Sequence, residues 1–255
     1  MVNQSSFLNH TDHTDYNYWL TGFLGKEFYC EEISLLQDKI SNIFGFHILQ
    51  IGTESLDYLS SLSDQLKINH RIVLSEKKIK IPKVTSSVLN CKAQAIPLDS
   101  NSIDAVLIAH GLEFSSDPHS LLREVDRILL PEGYVIILGF NPWSFWGLKK
   151  KLSFKNKIYP WHGKWLSSYR ICDWLSLLNY DVTFCQHYFY RPCINNQNIL
   201  SYTKFFDSIG KIIPLGSAGF CIIATKKQEA FELIRPRWSN KLEFVGKTNY
   251  IEPSM

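Results

Sequence analysis

The sequence predicts an α/β protein built on a doubly wound sheet, and three consecutive elements carry that prediction. The first is an apolar run at 103–109, typical of a strand buried on both faces, with one acidic residue, Asp104, near its start. The second is an amphipathic helix, and the third is another apolar strand at 134–140. Strand, helix and strand in this order predict parallel pairing through a right-handed crossover. Sheets of this kind bind ligands at the carboxyl ends of their strands.

The crossover helix has start and stop signals as well as a buried stripe. Asp117 can cap its first turn, and the ring of Pro118 already fixes a backbone angle that suits that turn. The segment 131–133, Pro-Glu-Gly, is predicted to end the helix and turn the chain. Between these signals, apolar residues recur at helical spacing at Leu121, Leu122, Val125, Ile128 and Leu129.

Helices and strands alternate on both sides of this central unit. The predicted elements, in chain order, are a helix at 25–44, a strand at 46–51, a helix at 55–66, a strand at 70–74, an edge strand within 82–91, a helix at 167–178, a strand at 181–190, an inserted helix at 198–213 and a last strand at 219–225. With the central unit they give six or seven strands in a single domain at 1–225, whose sheet core lies at 46–225. Residues 226–255 are expected to form a tail.

Composition fits one ordinary folded domain and excludes several other classes. The 255 residues are 45% hydrophobic and 20% charged, which is enough to bury a full core. The net charge of +3 is too small to demand a nucleic-acid partner. No uninterrupted apolar run approaches the length that spans a bilayer, so no membrane span is expected.

Cysteine usage and the first residues of the chain predict a cytoplasmic protein. The six cysteines are scattered and none lies in a Cys-x-x-Cys pair, so we expect reduced thiols and no metal site. Residues 1–18 have neither a basic start nor an apolar block, so secretion is not expected.

Four segments carry a resemblance to a known family. Residues 93–106 read Ala-Gln-Ala-Ile-Pro-Leu-Asp-Ser-Asn-Ser-Ile-Asp-Ala-Val, and 110–114 read His-Gly-Leu-Glu-Phe. Residues 122–129 read Leu-Arg-Glu-Val-Asp-Arg-Ile-Leu, and Pro-Glu-Gly follows at 131–133. Together they resemble class I S-adenosylmethionine-dependent methyltransferases of the type 11 group, over roughly residues 46 to 225. A fifth segment, Asn-Pro-Trp-Ser-Phe-Trp-Gly at 141–147, resembles a small bacterial subgroup of these proteins.

The resemblance implies a fold, a cofactor and a site. The implied fold is a mostly parallel, seven-stranded, Rossmann-like sheet with helices on both faces, and the implied cofactor is S-adenosyl-L-methionine. The cofactor would lie across the carboxyl ends of the first, second and fourth strands. The residues implied around it are Gly52, Thr53, Glu76, Ala93, Gln94 and His110. We do not expect His110 to act as a base, because a lone histidine beside an apolar strand is usually structural.

The turn after the first strand departs from the family pattern. The family has Gly-x-Gly-x-Gly there, whereas residues 52–56 read Gly-Thr-Glu-Ser-Leu, so only Gly52 is retained. A carboxylate on Glu54 would lie near that of the cofactor, and two like charges about 4 Å apart cost about 1 kcal/mol even in water. Lys92 occupies a place where the family often has an aspartate for the adenine amino group, and lysine accepts no hydrogen bond.

Aromatic and basic residues flank the expected acceptor side. Aromatic residues lead the domain and follow the fifth strand, at Tyr16, Tyr18, Trp19, Phe23, Tyr29, Trp143, Phe145, Trp146, Trp161 and Trp165. They could roof a substrate, although packing against one another is the expected role of most of them. The lysines at 149–151, with Lys155 and Lys157, are best explained as a solvated loop. Basic residues between aromatic rings also suit an RNA or an anionic lipid, but the modest net charge makes that contact secondary.

Two functions from different classes remain open. The first is a methyltransferase acting on an unidentified methyl acceptor, for which a small molecule is the expected class and a nucleic acid the less favoured one. The second is a cofactor-free protein of the same fold that binds or scaffolds a partner, since the turn at Glu54 and Leu56 has lost its glycines. A nucleotide-dependent oxidoreductase on a similar sheet is disfavoured because the Gly-x-Gly-x-x-Gly fingerprint is missing. The sequence names neither the acceptor atom nor the oligomeric state.

Overall fold

A seven-stranded sheet forms the centre of the protein. The computed structural model describes residues 19–20, 22–53, 57–76, 86–152, 160–194 and 216–228. The strands are β1 (His47–Ile51), β2 (His70–Ser75), β3 (Ser86–Asn90), β4 (Ile103–Ala109), β5 (Leu129–Phe140), β6 (Tyr180–Tyr188) and β7 (Gly219–Lys226). The helices are α1 (Phe23–Ile40), α2 (Tyr58–Ser61), α3 (Gly111–Phe114), α4 (Pro118–Ile128), α5 (Phe145–Leu152) and α6 (Ser168–Leu177).

The strand order is β3-β2-β1-β4-β5-β7-β6. Strands β1 to β5 are parallel, and β7 runs antiparallel between β5 and β6. The prediction of a mostly parallel, doubly wound sheet is confirmed. Strand β1 pairs with β2 on one side and with β4 on the other, so the direction of winding reverses beside β1. Ligands of open α/β sheets bind at this switch point.

Helices cover both faces of the sheet, as predicted. Helices α1 and α2 bury residues such as Phe28, Leu36 and Leu59 in one apolar cluster with inward-facing residues of the strands. Helices α4 and α6 bury residues such as Leu121 and Ile171 in a second cluster on the opposite face. Strand β4 lies between the two clusters, which explains its nearly continuous apolar sequence. No helix in the part of the chain that the structure describes is long and apolar enough to cross a membrane.

Polar side chains hydrogen-bond to the main chain at the first residues of β1 and α4. The carboxylate of Asp104, the predicted acidic residue of β4, accepts hydrogen bonds from the main-chain N–H groups of Phe46 and His47, at 2.9 Å each, and so ties the start of β1 to β4. The carboxylate of Asp117 accepts from the N–H groups of His119 and Ser120 at 3.1 Å, which confirms the predicted cap of α4. These contacts satisfy donors that the ends of strands and helices leave unpaired.

The junction of α4 and β5 differs from the prediction. The helix ends at Ile128 and the strand begins at Leu129, so the segment 131–133 lies inside β5 and is not a turn between the two. Ile103 pairs with Leu129 whereas Ala105 pairs with Tyr134, and the extra residues form a bulge. Glu132 takes a φ of 64°, which accommodates them. The Pro-Glu-Gly signal therefore marked an irregular strand.

Other boundaries shift by a few residues. Helix α1 runs from 23 to 40, earlier than the predicted 25–44. The helix predicted at 55–66 is much shorter, because α2 is a single turn at Tyr58–Ser61 behind its cap Asp57. Strand β6 ends at Tyr188, and β7 extends to Lys226, the first residue of the predicted tail. The Nζ of Lys226 donates to the carbonyl oxygens of Asp126 and Leu129. The predicted helix at 198–213, residues 54–56 and the tail beyond 228 lie outside the described residues.

Candidate functional site

The carboxyl ends of β1 and β4 are in main-chain contact at Gly52. Gly52 has a φ of 90°, and a Cβ atom there would lie 2.3 Å from the carbonyl oxygen of Ala109 and 2.8 Å from the nitrogen of Gly111. Thr53 and His110 also have positive φ, at 40° and 53°. Glycine is therefore required at position 52, because a side chain would separate the two turns. The site begins as two strained turns in main-chain contact at the switch point of the sheet.

A second group of predicted residues lies at the ends of β2 and β3. Glu76 is exposed directly after β2, and its Oε1 accepts a hydrogen bond from the main-chain nitrogen of Ala93 at 3.4 Å. The amide nitrogen of the Gln94 side chain donates to the hydroxyl of Ser115, just after α3, at 3.2 Å. The structure thus brings Glu76, Ala93 and Gln94 together, and it links them to the chain that follows β4.

The imidazole of His110 points into the protein. It is fully buried, and its Nε2 lies 2.8 Å from Oε1 of Glu32 while its Nδ1 lies 3.7 Å from Oε1 of Glu113. The hydroxyl of Tyr188 donates to Oε1 of Glu32 at 2.6 Å, and that of Tyr58 donates to Oε2 at 2.7 Å. This arrangement leaves only the main chain of His110 for contact with a ligand at the strand ends.

The buried network holds a protonated histidine. Burial by itself lowers the pKa of His110, but the carboxylates of Glu32 and Glu113 outweigh burial and raise that pKa to about 9. At neutral pH the ring is an imidazolium between two carboxylates, so it has no lone pair with which to act as a base. The expectation that His110 is structural agrees with these contacts.

Sequence reasoning missed Glu32, although a signal was present. The buried residues of α1 recur every four positions, at Leu24, Phe28, Glu32, Leu36 and Ile40, so one acidic residue interrupts an apolar stripe. A carboxylate on such a stripe needs buried partners, because an unpaired buried charge is very costly. Helical periodicity could have identified Glu32 as part of a buried polar network, but its partners come from three distant parts of the chain.

The segment 141–147 builds a rigid turn after β5. The buried side chain of Asn141 donates to the hydroxyl of Ser217 and accepts from the N–H of Trp143. Ser144 Oγ accepts from the N–H of Gly147 at 3.0 Å and so caps α5. A Cβ atom on Gly147 would lie 2.0 Å from the carbonyl oxygen of Pro142. Asn141, Ser144 and Gly147 therefore have structural roles in starting α5.

A cavity lies between this turn and the chain that precedes α6. Its volume is about 270 Å3, and it is lined by Pro142, Gly147, Lys150, Lys151 and Trp165. The ammonium of Lys150 donates to the carbonyl oxygen of Gly163 and lies 4.8 Å from the ring centre of Trp165. Burial lowers the pKa of Lys150, and the charge of Glu113 opposes that effect. The cavity is an apolar recess with one inward-facing cation.

Most of the predicted aromatic cluster is core packing. Phe140 and Trp146 are fully buried, and Phe140 stacks on Trp165 with 5.1 Å between ring centres. Trp19 makes edge contacts with Phe140 and Trp146. Trp143 and Phe145 are instead mostly exposed. Tyr16, Tyr18, Lys155 and Lys157 lie outside the described residues.

Comparisons of sequence with known proteins point to one family. Residues 56–137 match the family model of a methyltransferase domain. The uncharacterized protein YafS of Escherichia coli K12 is 34% identical over 157 residues, which cover 62% of this chain and 62% of YafS. A demethylmenaquinone methyltransferase of Chlamydia pneumoniae is 33% identical over 70 residues, covering 28% of this chain and 30% of that protein. The chain thus spans less than two thirds of the length of these curated relatives.

Solved structures share the fold. A protein of Archaeoglobus fulgidus described as a SAM-dependent methyltransferase aligns with a TM-score of 0.60 at 19% identity, covering 83% of this chain and 99% of that one. A protein of Thermotoga maritima described as a SAM-dependent methyltransferase, possibly a histamine N-methyltransferase, aligns with a TM-score of 0.59 at 20% identity, covering 83% and 95%. Residues 56–137 are therefore similar to a methyltransferase domain, and the chain shares its seven-stranded, Rossmann-like fold with these solved structures.

Proposed function

We propose that this protein is an S-adenosylmethionine-dependent methyltransferase whose cofactor lies across the carboxyl ends of β1, β2 and β4. The observation that carries the proposal is Gly52, which brings the turn after β1 into main-chain contact with Ala109 and Gly111 at the switch point. A matched family model over 56–137 supports the same reading. A cytoplasmic location fits the six cysteines, all of which are free thiols.

The residues at the strand ends suit the chemistry of this cofactor. Glu76 has an exposed carboxylate, which accepts hydrogen bonds only, and the ribose of the cofactor offers two hydroxyl donors. The main-chain nitrogen of Ala93 lies 3.4 Å from that carboxylate, so Ala93 would adjoin the same ligand. Gln94 has an amide that can both donate to and accept from an adenine edge. The main chain at Gly52, Thr53 and His110 would adjoin the methionine part.

The protein contributes positioning of the reactants more than acid or base catalysis. When bound, the cofactor supplies an electrophilic methyl group on its sulfonium sulfur. His110 is an imidazolium held by Glu32 and Glu113, so it fixes the turn after β4 and takes no proton from an acceptor. Alignment of a nucleophile with that methyl group is by itself a large part of such a rate enhancement. We assign the recess beside Trp165 to the acceptor, which we expect to be a small molecule.

The first test is calorimetric titration of the whole chain with S-adenosylmethionine and S-adenosylhomocysteine. We expect dissociation constants in the micromolar range. Glu76→Gln keeps the shape of an exposed side chain and removes its charge, and it should weaken binding about tenfold or more, since hydrogen bonds to charged groups contribute about 1.5–3 kcal/mol. Glu132→Gln makes the same exchange at an exposed residue near the start of β5 and should bind as the parent does.

A stronger perturbation is Gly52→Asp, which adds a side chain against Ala109 and a charge at the cofactor site. It should abolish binding, and circular dichroism must show that the variant remains folded. Asn101→Asp is its matched control, because Asn101 also has a positive φ and lies just before β4, at the opposite end of that strand from the site. No heat from a folded parent protein at near-millimolar cofactor would refute the proposal and favour the cofactor-free scaffolding function.

A further inference from the structure

The turn before α5 and the outer side of that helix form an unusually apolar surface. Four large apolar side chains within ten residues are 54–70% exposed, and no other stretch of that length in the described ranges exposes as many. Elsewhere in the described ranges such side chains are exposed singly or in pairs, and a larger contiguous apolar surface marks an interaction site. We call it the α5 face, and its residues are Trp143, Phe145, Leu148 and Leu152.

The exposure follows from how α5 packs. Successive residues of a helix are rotated by about 100°, so Phe145, Leu148 and Leu152 fall within about 60° of its circumference. Trp146 lies on the other side, is fully buried, and donates from Nε1 to the carbonyl oxygen of Arg191 at 2.9 Å. Gly147 packs against Pro142 on that inner side. The helix cannot rotate its apolar stripe inward without breaking these contacts.

Lysines border the stripe on both sides. By the same helical geometry, Lys149 and Lys151 flank the apolar residues, whereas Lys150 faces inward to Gly163. Lys149 donates to the carbonyl oxygen of Cys193 at 3.0 Å, and the ammonium of Lys151 lies 5.3 Å from the ring centre of Trp143. The segment 141–152 contains no acidic residue. An apolar stripe between lysines, in a segment without acidic residues, is typical of helices that lie in the surface of an anionic membrane.

We propose that the α5 face docks on an anionic lipid bilayer. The apolar side chains would enter the boundary between headgroups and acyl chains, and the lysines would contact lipid phosphates. A second copy of this chain is a poorer partner, because a self-complementary contact would bring the lysines of both copies together. Single-stranded RNA is also poorer, since it stacks on aromatic rings but has no use for Leu148 and Leu152. Lys151 also lines the cavity beside Trp165, so docking would set that cavity at the bilayer surface.

Vesicle sedimentation tests this proposal without any methyl-transfer readout, so it stands or falls independently of the enzymatic assignment. The whole chain should bind vesicles of phosphatidylcholine mixed with phosphatidylglycerol and should bind pure phosphatidylcholine vesicles much more weakly. Raising the salt concentration should weaken binding. The double variant Leu148→Ser with Leu152→Ser should bind about tenfold more weakly, because it removes apolar area that enters the bilayer. The variant Lys149→Gln with Lys151→Gln should lose most of the salt dependence.

The matched control is Tyr169→Ser with Leu177→Ser, which removes two large side chains of α6 that are more exposed than Leu148 and Leu152, and it should leave binding unchanged. A folded parent protein that does not sediment with anionic vesicles would overturn the proposal. So would a Leu148 and Leu152 double variant that binds as tightly as the parent. Binding to a single-stranded oligoribonucleotide in place of vesicles would overturn it as well and assign the lysines to nucleic acid.

Discussion

Replacing Glu32 by glutamine should flatten the dependence of stability on pH, because Glu32 is the main charged partner of His110. In the folded protein the pKa of His110 is raised to about 9, against about 6.5 in an unfolded chain. A group whose pKa is raised on folding stabilises the folded state fully below the unfolded pKa, and this contribution is lost as the pH rises toward the folded pKa. The free energy of unfolding should therefore fall between pH 6.5 and pH 9.

The size of the stability change follows from the shift in the pKa of His110. One pKa unit corresponds to about 1.4 kcal/mol, so the full shift is worth about 3 kcal/mol, of which about 2 kcal/mol is lost between pH 6.5 and pH 8. No reduction for solvent is needed, since both His110 and Glu32 are fully buried. Glu32→Gln leaves only Glu113, at 3.7 Å, to favour the imidazolium. The pH-dependent loss in the variant should be about half that of the parent or less.

The assay is urea denaturation at intervals from pH 6.5 to pH 8, followed by circular dichroism. Below this window burial lowers the pKa of His187, which makes the folded protein lose stability as the pH falls. Above it, thiols such as Cys221, whose pKa burial raises to about 12, contribute a slope of their own. Within it, the hydrogen bond with Cys185 lowers the pKa of Cys172 to about 7 and adds a slope of opposite sign, which the parent and Glu32→Gln share. His119→Gln replaces an exposed histidine and should keep the parental slope. Equal slopes for the parent and Glu32→Gln would refute the assignment of a protonated His110.

Two further predictions concern the side-chain hydrogen bonds at the first residues of β1 and α4. Asp104→Ala removes the carboxylate that accepts hydrogen bonds from the N–H groups of Phe46 and His47. It should lower the free energy of unfolding, measured by urea denaturation, by about 1–3 kcal/mol. No change in that free energy would mean that water replaces the carboxylate. Asp117→Ala removes the cap of α4 and should lower the free energy of unfolding by about 1 kcal/mol, and Asp117→Asn should recover most of that loss. An alanine variant as stable as the parent would show that Pro118 suffices to start the helix.

Local patterns in the sequence were sufficient for most of the fold. The continuous apolar runs of β4 and β5 and the stripe of α4 predicted a parallel unit, because burial on both faces leaves no room for polar alternation. The cap at Asp117 was also predicted correctly. The junction at 131–133 was predicted wrongly, because proline and glycine occur both where a helix ends and where a strand has a bulge. Only the pairing of β5 with β4 distinguishes the two.

The candidate site likewise has residues that the sequence predicted and residues that it did not. The family pattern led to Gly52, Glu76, Ala93 and Gln94, and the structure places these residues at the ends of neighbouring strands, where their role in binding a cofactor stays a prediction. Nothing local indicated that Glu32 would reach His110. Those residues are 78 positions apart, and their contact exists only because α1 packs over the end of β4.

The sequence by itself determined the alternation of elements, the sheet with two buried faces and the glycine that joins two strand ends. Each of these depends on periodicity or on the backbone freedom of a single residue, which are local properties. The tertiary structure decided that His110 is an inward-facing imidazolium, that most aromatic rings are core, and that the α5 face is left open to solvent. Those outcomes depend on which distant surfaces meet, and that is settled only when the helices pack on the sheet.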